Sequence, residues 1–387
     1  MKGAGRTLTV AEGAAMICGT GIGSGVMAIP CLIKSAGVIG GLLAFAAAFA
    51  LSAVMHCLTA DMVINSGEHE IPRIFSCLLP PGKRKRQAEL LFFVLTALML
   101  TANISAYILG GAEVLCALLP VPVTAGKLLF FAAAALPVML GLRAVGMSEK
   151  WLVAAIGVLL AVITAFALTK AEGTLPQCGS PRAALGAFSM LTFSLTALFA
   201  VPELARGMRN DACRIKRAIL GGLFANLMVC LLICVSTIAA SEEVTEMAGV
   251  GLRNALGPVA GVCADLFILL ALLTSFSVLA FSLTGIISGQ FHMKRRTSLA
   301  AVTLPALLAA FIPSSSFVDM AKVAGGIVSL LISILLVPAY CRSVQLTGCS
   351  AVTGRWGQSR ALLICAIVGS LLVIVGIFFF VEVTTCW

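Results

Sequence analysis

Long uncharged apolar runs alternate with short polar segments along the whole chain. The runs cover residues 13–33, 35–60, 90–112, 128–142, 151–169, 183–202, 218–241, 266–293, 297–318, 323–341 and 361–381. Each approaches the roughly 20 residues that a helix needs to cross a bilayer, so the pattern predicts eleven transmembrane helices. The shortest run, 128–142, is flanked by Lys127 and Arg143, whose long side chains reach the headgroups from within the span. The eighth helix is expected to begin near Pro258, which places Asp265 inside it. The polar segment from Arg143 to Lys150 reads as an inner loop. Ten-residue stretches of alternating hydrophobicity, the mark of a membrane barrel, are absent from the sequence. The predicted class is therefore an all-α polytopic membrane protein.

Composition agrees with the pattern. Of 387 residues, 60% are apolar and 11% charged, against roughly 45–50% and ~25% in soluble domains. The mean hydropathy is +1.10. These values exclude a water-soluble enzyme, a nucleic-acid binder and a disordered tail. The net charge of +10 lies in short clusters between the apolar runs. With the N-terminus inside, only Lys34, Lys127, Lys170, Arg182, Arg253 and Lys322 of the 26 basic residues fall outside. That asymmetry orients the chain in a plasma or bacterial inner membrane, N-terminus cytoplasmic and C-terminus outside. The Lys83-Arg84-Lys85-Arg86 cluster is expected to meet anionic lipid headgroups, and the first run is expected to be a retained helix. Fourteen cysteines are scattered without a C-x-x-C pair, and three histidines accompany them. Cys230 and Cys234 are read as packing residues, so no metal or disulfide framework and no cofactor are expected.

The first run contains Gly19-Thr20-Gly21-Ile22-Gly23-Ser24-Gly25 and closes with Ala28-Ile29-Pro30. Glycine at every second position makes a poor continuous helix, at nearly 1 kcal/mol each against alanine. The spacing fails the dinucleotide pattern, and close helix packing through small residues is the alternative. The sixth run places Thr192, Ser194 and Thr196 at mid-span and closes with Ala200-Val201-Pro202. Interrupted helices at matching points of two halves point to an inverted-repeat transporter with a midplane site. The chain then forms one transporter domain over 1–387, with 5+5 repeats at about 8–170 and 180–342 and an extra helix at about 360–382. Unwinding at Gly21, Gly23, Ser24 and Gly25 frees amide N–H groups suited to a carboxylate. Carbonyls there and near Phe193, Ser194 and Thr196 suit an ammonium or an alkali cation.

The GTGIGSGVMAIP segment resembles the first-helix signature of the amino acid/auxin permease family, within the amino acid–polyamine–organocation superfamily. Ser105-Ala106-Tyr107-Ile108 is similar to the third helix of the bacterial aromatic amino acid permeases, and Leu273-Thr274-Ser275-Phe276 to their eighth. The resemblance implies a leucine-transporter-type fold and cation-coupled symport of a hydrophobic or aromatic amino acid by alternating access. It gives the Tyr107 hydroxyl to the substrate carboxylate; a hydrogen bond between helices is the alternative. It implies a sodium site from carbonyls of Gly19, Ile22 and Ala271 and hydroxyls of Thr274 and Ser275. The helix-five lysine of proton-coupled relatives is missing from 151–169, whereas the aromatic branch points to protons, so the coupling ion is sodium or a proton. Asp265, Glu113, Glu12 and Asp61 are the carboxylates to consider in or near spans, with Asp265 roughly 14 Å along the helix from Thr274. His56 is either a proton shuttle or a structural hydrogen-bond partner. A channel, or a carrier of another zwitterion or amine, is the competing reading. The expected partners are the amino acid and lipid, with a monomer as the working unit.

Overall fold

The computed structural model describes residues 7–22, 24–77, 83–170, 174–240, 244, 252, 254–312 and 335–385. Among the described residues all regular structure is helical. Helix α1 (Val10–Gly21) starts with a reciprocal cap, in which the Thr9 side chain accepts from the Glu12 N–H and Glu12 accepts from the Thr9 N–H. At Ile22 the backbone leaves the helix, with ψ at 77°. A 3₁₀ turn covers Ser24–Met27, and α2 (Ile29–Ser66) begins with Pro30 in its first turn, where the missing N–H costs nothing.

The sixth span repeats this order. Helix α7 (Pro181–Ser194) stops, a 3₁₀ turn covers Leu198–Ala200, and α8 (Val201–Gly207) starts with Pro202 in its first turn. The two interruptions expected from the sequence are thus both present.

Gly37 divides α2, because its φ of 74° is a left-handed conformation. The chain at 176–180 docks into that kink through Val38 N–H to Pro176 O and Ser180 N–H to Ser35 O, both at 2.9 Å. A methyl group on Gly37 would stand 2.8 Å from Pro176 O.

Between and after these come α3 (Ile71–Cys77), α4 (Lys83–Leu118), α5 (Val123–Leu140), α6 (Leu142–Lys170), α9 (Ala212–Ala240), α10 (Pro258–Phe291) and α11 (Arg295–Ala310). A helical stretch at 335–347, α12, precedes α13 (Arg360–Thr385). Seven described stretches, with the interrupted Pro181–Gly207 counted as one, are long and apolar enough to cross a membrane. The tenth run, 323–341, and the end of the ninth lie largely outside the described residues.

One boundary differs from the expectation in a way that matters. Helix α6 begins at Leu142, so 143–150 is helical rather than an inner loop. Its buried positions Val145, Glu149, Ile156, Leu160, Ile163 and Ala167 share one face, which carries a carboxylate into the interior.

Helix α1 sits centrally, packed against α6, α9 and α10, while α2 packs against α7 and α9. Helix α13 packs on α7 and α2. Leu42, Leu43, Met139, Leu140, Val158 and Leu308 point outward, as an apolar exterior in lipid requires.

Candidate functional site

The two breaks face one another. Where α1 ends, a Cβ on Gly21 would overlap the Asn226 amide and stand 2.7 Å from Ser194 O, so the last turn of α1 abuts the last turn of α7. Asn226 of α9 holds the junction, its Nδ2 donating to Ser194 O at 2.7 Å. His56 of α2 satisfies the unwound stretch from the other side.

A cavity of about 40 Å³ opens at this junction, lined by Thr20, Gly21, Asn103, Tyr107, Phe193 and Thr196, with Leu100, Ala197, Phe199 and Leu279. None of these lining side chains carries a charge. Gly21, Tyr107, Phe193 and Thr196 are therefore brought together. Gly25 and Ser194 face each other outside that lining, Ser194 Oγ standing 2.9 Å from a Gly25 Cβ position. Ser24 opens the 3₁₀ turn, and Gly23 lies outside the described residues. The Thr196 hydroxyl donates to Thr192 O at 2.8 Å. Asn103 lines the same wall one helical turn before Tyr107, and sequence reasoning overlooked it. A buried amide at i−4 from the phenol was the available signal.

Deeper in, the residues given to a cation lie close together. The Thr274 hydroxyl reaches Gly19 O at 3.0 Å and Ala271 O at 2.7 Å. The Ser275 hydroxyl reaches Gly19 O at 3.1 Å, Thr20 O at 3.4 Å and Ile22 O at 3.1 Å. Thr274 and Ser275 are both fully buried. The Tyr107 phenol lies near the Ser275 side chain, which brings the cavity wall close to this oxygen cluster. Gly19, Ile22, Ala271, Thr274 and Ser275 thus form one neighbourhood.

The carboxylates sort by burial. Glu113 is exposed at its helix position and Asp265 is half-buried. Asp61 is fully buried and accepts Val352 N–H at 2.7 Å, Thr353 N–H at 3.2 Å and the Thr353 hydroxyl at 2.6 Å, an anchor for the segment after α12. Glu203, in α8, is buried and paired with Arg206. Glu149 is also buried, and sequence reasoning missed it. Its phase with Ile156, Leu160 and Ile163 was the signal.

Among the described residues no group of three or more His, Cys, Asp and Glu could hold a metal ion. Cys230 and Cys234 are buried and unbridged.

The sequence profile described as the tryptophan/tyrosine permease family matches residues 6–376. No curated protein sequence matches the chain. Among solved structures, it is similar to Mhp1, a nucleobase-cation-symport-1 family transporter, in a closed conformation with bromovinylhydantoin bound. That likeness has a TM-score of 0.67 at 13% identity and covers 99% of this chain and 94% of the other. At that identity the likeness is one of fold.

Proposed function

Because the chain belongs to the tryptophan/tyrosine permease family, a family of transporters and not enzymes, we propose that it carries an aromatic amino acid across the membrane by cation-coupled symport. The observation that supports this most is the pair of helix ends, Gly21 and Ser194, meeting at a cavity without a charged side chain. Such a site recognises a zwitterion through backbone dipoles. Tyr107 and Asn103 supply the side-chain hydrogen bonds, with Gly21, Ser24 and Gly25 presenting backbone to the carboxylate. Phe193, Phe199, Leu100 and Leu279 supply apolar surface for a ring. Carbonyls around Phe193, Ser194 and Thr196 face the ammonium.

The cavity has room for about three waters at ~10–15 Å³ each, so α1 and α7 must separate to admit a ring. Alternating access follows from that requirement. The coupling cation travels as a co-substrate at Gly19, Ile22, Ala271, Thr274 and Ser275. We read the chain as one domain of eleven spans, with inverted repeats at about 8–170 and 180–342. In this reading the N-terminus is cytoplasmic, the membrane is the bacterial inner membrane, and the monomer works alone.

The test is uptake of labelled tryptophan, tyrosine and leucine into proteoliposomes under an imposed ion gradient. Saturable, gradient-driven accumulation of the aromatic substrates supports the reading. Flux that follows the concentration gradient without saturating indicates a channel and overturns it.

A further inference from the structure

The cavity between the two breaks is lined by four side chains that carry a polar atom, those of Thr20, Asn103, Tyr107 and Thr196. Two of them are spent on their own helices. The Thr20 hydroxyl donates to Met16 O at 2.6 Å, and the Thr196 hydroxyl to Thr192 O at 2.8 Å. Tyr107 is the side chain that the family resemblance gives to the substrate carboxylate. Asn103 differs, since it is only 8% exposed and yet its amide has no hydrogen-bond partner among the described residues. A carboxamide carries two donor hydrogens and an accepting oxygen, and leaving such a group buried and unpaired is costly. This one therefore stands ready for a ligand.

Its place on α4 says which end of the ligand it meets. Asn103 precedes Tyr107 by one helical turn on the same face, about 6 Å along the axis. An amino acid held by its carboxylate at Tyr107 can extend its side chain towards Asn103. The rest of the lining includes Leu100, Phe193, Phe199 and Leu279, which suit the faces of a ring but offer nothing to a polar atom on it. Tryptophan and tyrosine, the two amino acids in the family's description, each carry one ring hydrogen that can be donated, on the indole nitrogen or the phenol oxygen. The indole N–H only donates, so a partner common to both rings has to accept. Asn103 Oδ1 is such an acceptor, and no hydrogen bond within the described residues fixes which way the amide turns. Helix α4 packs on α5, α10 and α11 and is neither of the broken helices whose separation admits the ring, so the amide stands on a wall that need not move.

We propose that Asn103 sets the specificity of the site by accepting the ring hydrogen of the substrate, so that tryptophan and tyrosine are chosen over phenylalanine. This deepens the transport reading above and rests on it. Phenylalanine brings a ring without a donor. It would cover the amide, exclude water from it and leave its oxygen unpaired. A site built to hydrogen-bond a substrate N–H or O–H rejects the analogue lacking it far more strongly than an apolar pocket rejects a small change of size. Selection by one hydrogen bond also lets a single cavity serve an indole and a phenol, which differ in outline but share the donor.

The experiment titrates the purified full-length protein, in detergent and a sodium-containing buffer at fixed pH, with four ligands. They are L-tryptophan, 3-(3-benzothienyl)-L-alanine, in which sulfur replaces the indole N–H, L-tyrosine and L-phenylalanine. Wild type should bind tryptophan over its sulfur isostere, and tyrosine over phenylalanine, each by at least about tenfold. In Asn103→Leu, which keeps the size and removes the hydrogen bonding, both ratios should fall towards one. Tryptophan and tyrosine should weaken while phenylalanine and the isostere hold or tighten. Asn103→Ala, which introduces no clash, should lose the ratios in the same way and serves if the leucine variant fails to fold. Undiminished ratios in the variants overturn the proposal. So does uniform weakening of all four ligands, which would mark Asn103 as structural or as a partner of the backbone end they share. Wild type binding all four equally overturns the selectivity alone, whereas wild type binding none of them overturns the transport reading on which it rests.

Discussion

The imidazole Nε2 of His56 accepts the backbone N–H of Ala197 at 2.9 Å, inside the gap between α7 and α8. The ring's Nδ1 stands 2.6 Å from Ser52 O. A carbonyl can only accept and an amide N–H can only donate, so Nδ1 carries the hydrogen and Nε2 is bare. The neutral ring is built into the break as a clamp. A proton on Nε2 would take away the lone pair that Ala197 uses, which makes His56 a structural partner rather than a shuttle.

Replacing His56 by Phe leaves the Ala197 N–H buried without an acceptor. The expected loss is about 1–3 kcal/mol, read as a lower thermal midpoint. Tryptophan affinity should fall with it, because Ala197 lines the cavity. A variant with unchanged midpoint and affinity would show that the break holds without the clamp.

Tyr107→Phe removes the one phenol in the cavity wall. A hydrogen bond to a charged group is worth about 1.5–3 kcal/mol, so tryptophan affinity should drop roughly ten- to hundredfold. Isothermal titration with tryptophan measures the change. Equal affinities for wild type and variant would leave Tyr107 as an interhelical tie.

Gly21→Ala forces a methyl group against the Asn226 amide and Ser194 O. Overpacking of this kind costs about 1–3 kcal/mol, and here it pushes apart the two helix ends that frame the cavity. Substrate binding should be lost while the protein still inserts and purifies as a single species. Gly157→Ala on α6 is the control, because nothing lies within 4 Å of its added methyl. Its midpoint should hold or rise slightly.

Glu70 lies between α2 and α3, outside the spans, and predicts a pH effect. Partial burial pushes its carboxyl from 4.5 up to about 7, against the pull of Arg73 at 3.1 Å and in concert with the nearby Glu68 and Glu203. Arg206 also draws it down. The folded protein therefore holds this proton more tightly than the unfolded chain. Its contribution to stability is full below pH 4.5, falls as the pH rises through the window from 4.5 to about 7, and levels off above it. Glu70→Gln should remove that slope from a plot of thermal midpoint against pH. A slope identical to wild type would place its origin at another group.

Much of this arrangement was legible in the chain. Glycines at alternate positions and two prolines after Ala-Ile and Ala-Val marked both interruptions, because backbone that cannot stay helical announces itself in composition. Phe193 and Thr196 followed from mid-span chemistry, and Tyr107 from the family resemblance. The partners that hold the breaks, His56 and Asn226, were not assignable in that way. Each sits in an ordinary helix, and its role exists only through a neighbour 141 or 32 residues away. Glu149 escaped for a different reason. Arg143 and Lys150 flank it, and such charges suggest a loop, yet the helix runs through them and turns the carboxylate inward by phase alone.

The attachment of α13 to α7 has a practical consequence. Ser189 of α7 donates to Val373 O at 2.9 Å, and Gly376 lets the two helices approach so closely that a side chain there would strike the Ser189 hydroxyl. Helix α13 is thus fastened to the half-helix that ends at the cavity. Any tilt of α7 during turnover must be carried to the periphery, where Cys365 of α13 is exposed. In a background cleared of the other accessible thiols, a spin label or fluorophore on that native cysteine becomes a remote pointer. It would report the swing of a buried wall from the lipid side, with no alteration to the wall itself.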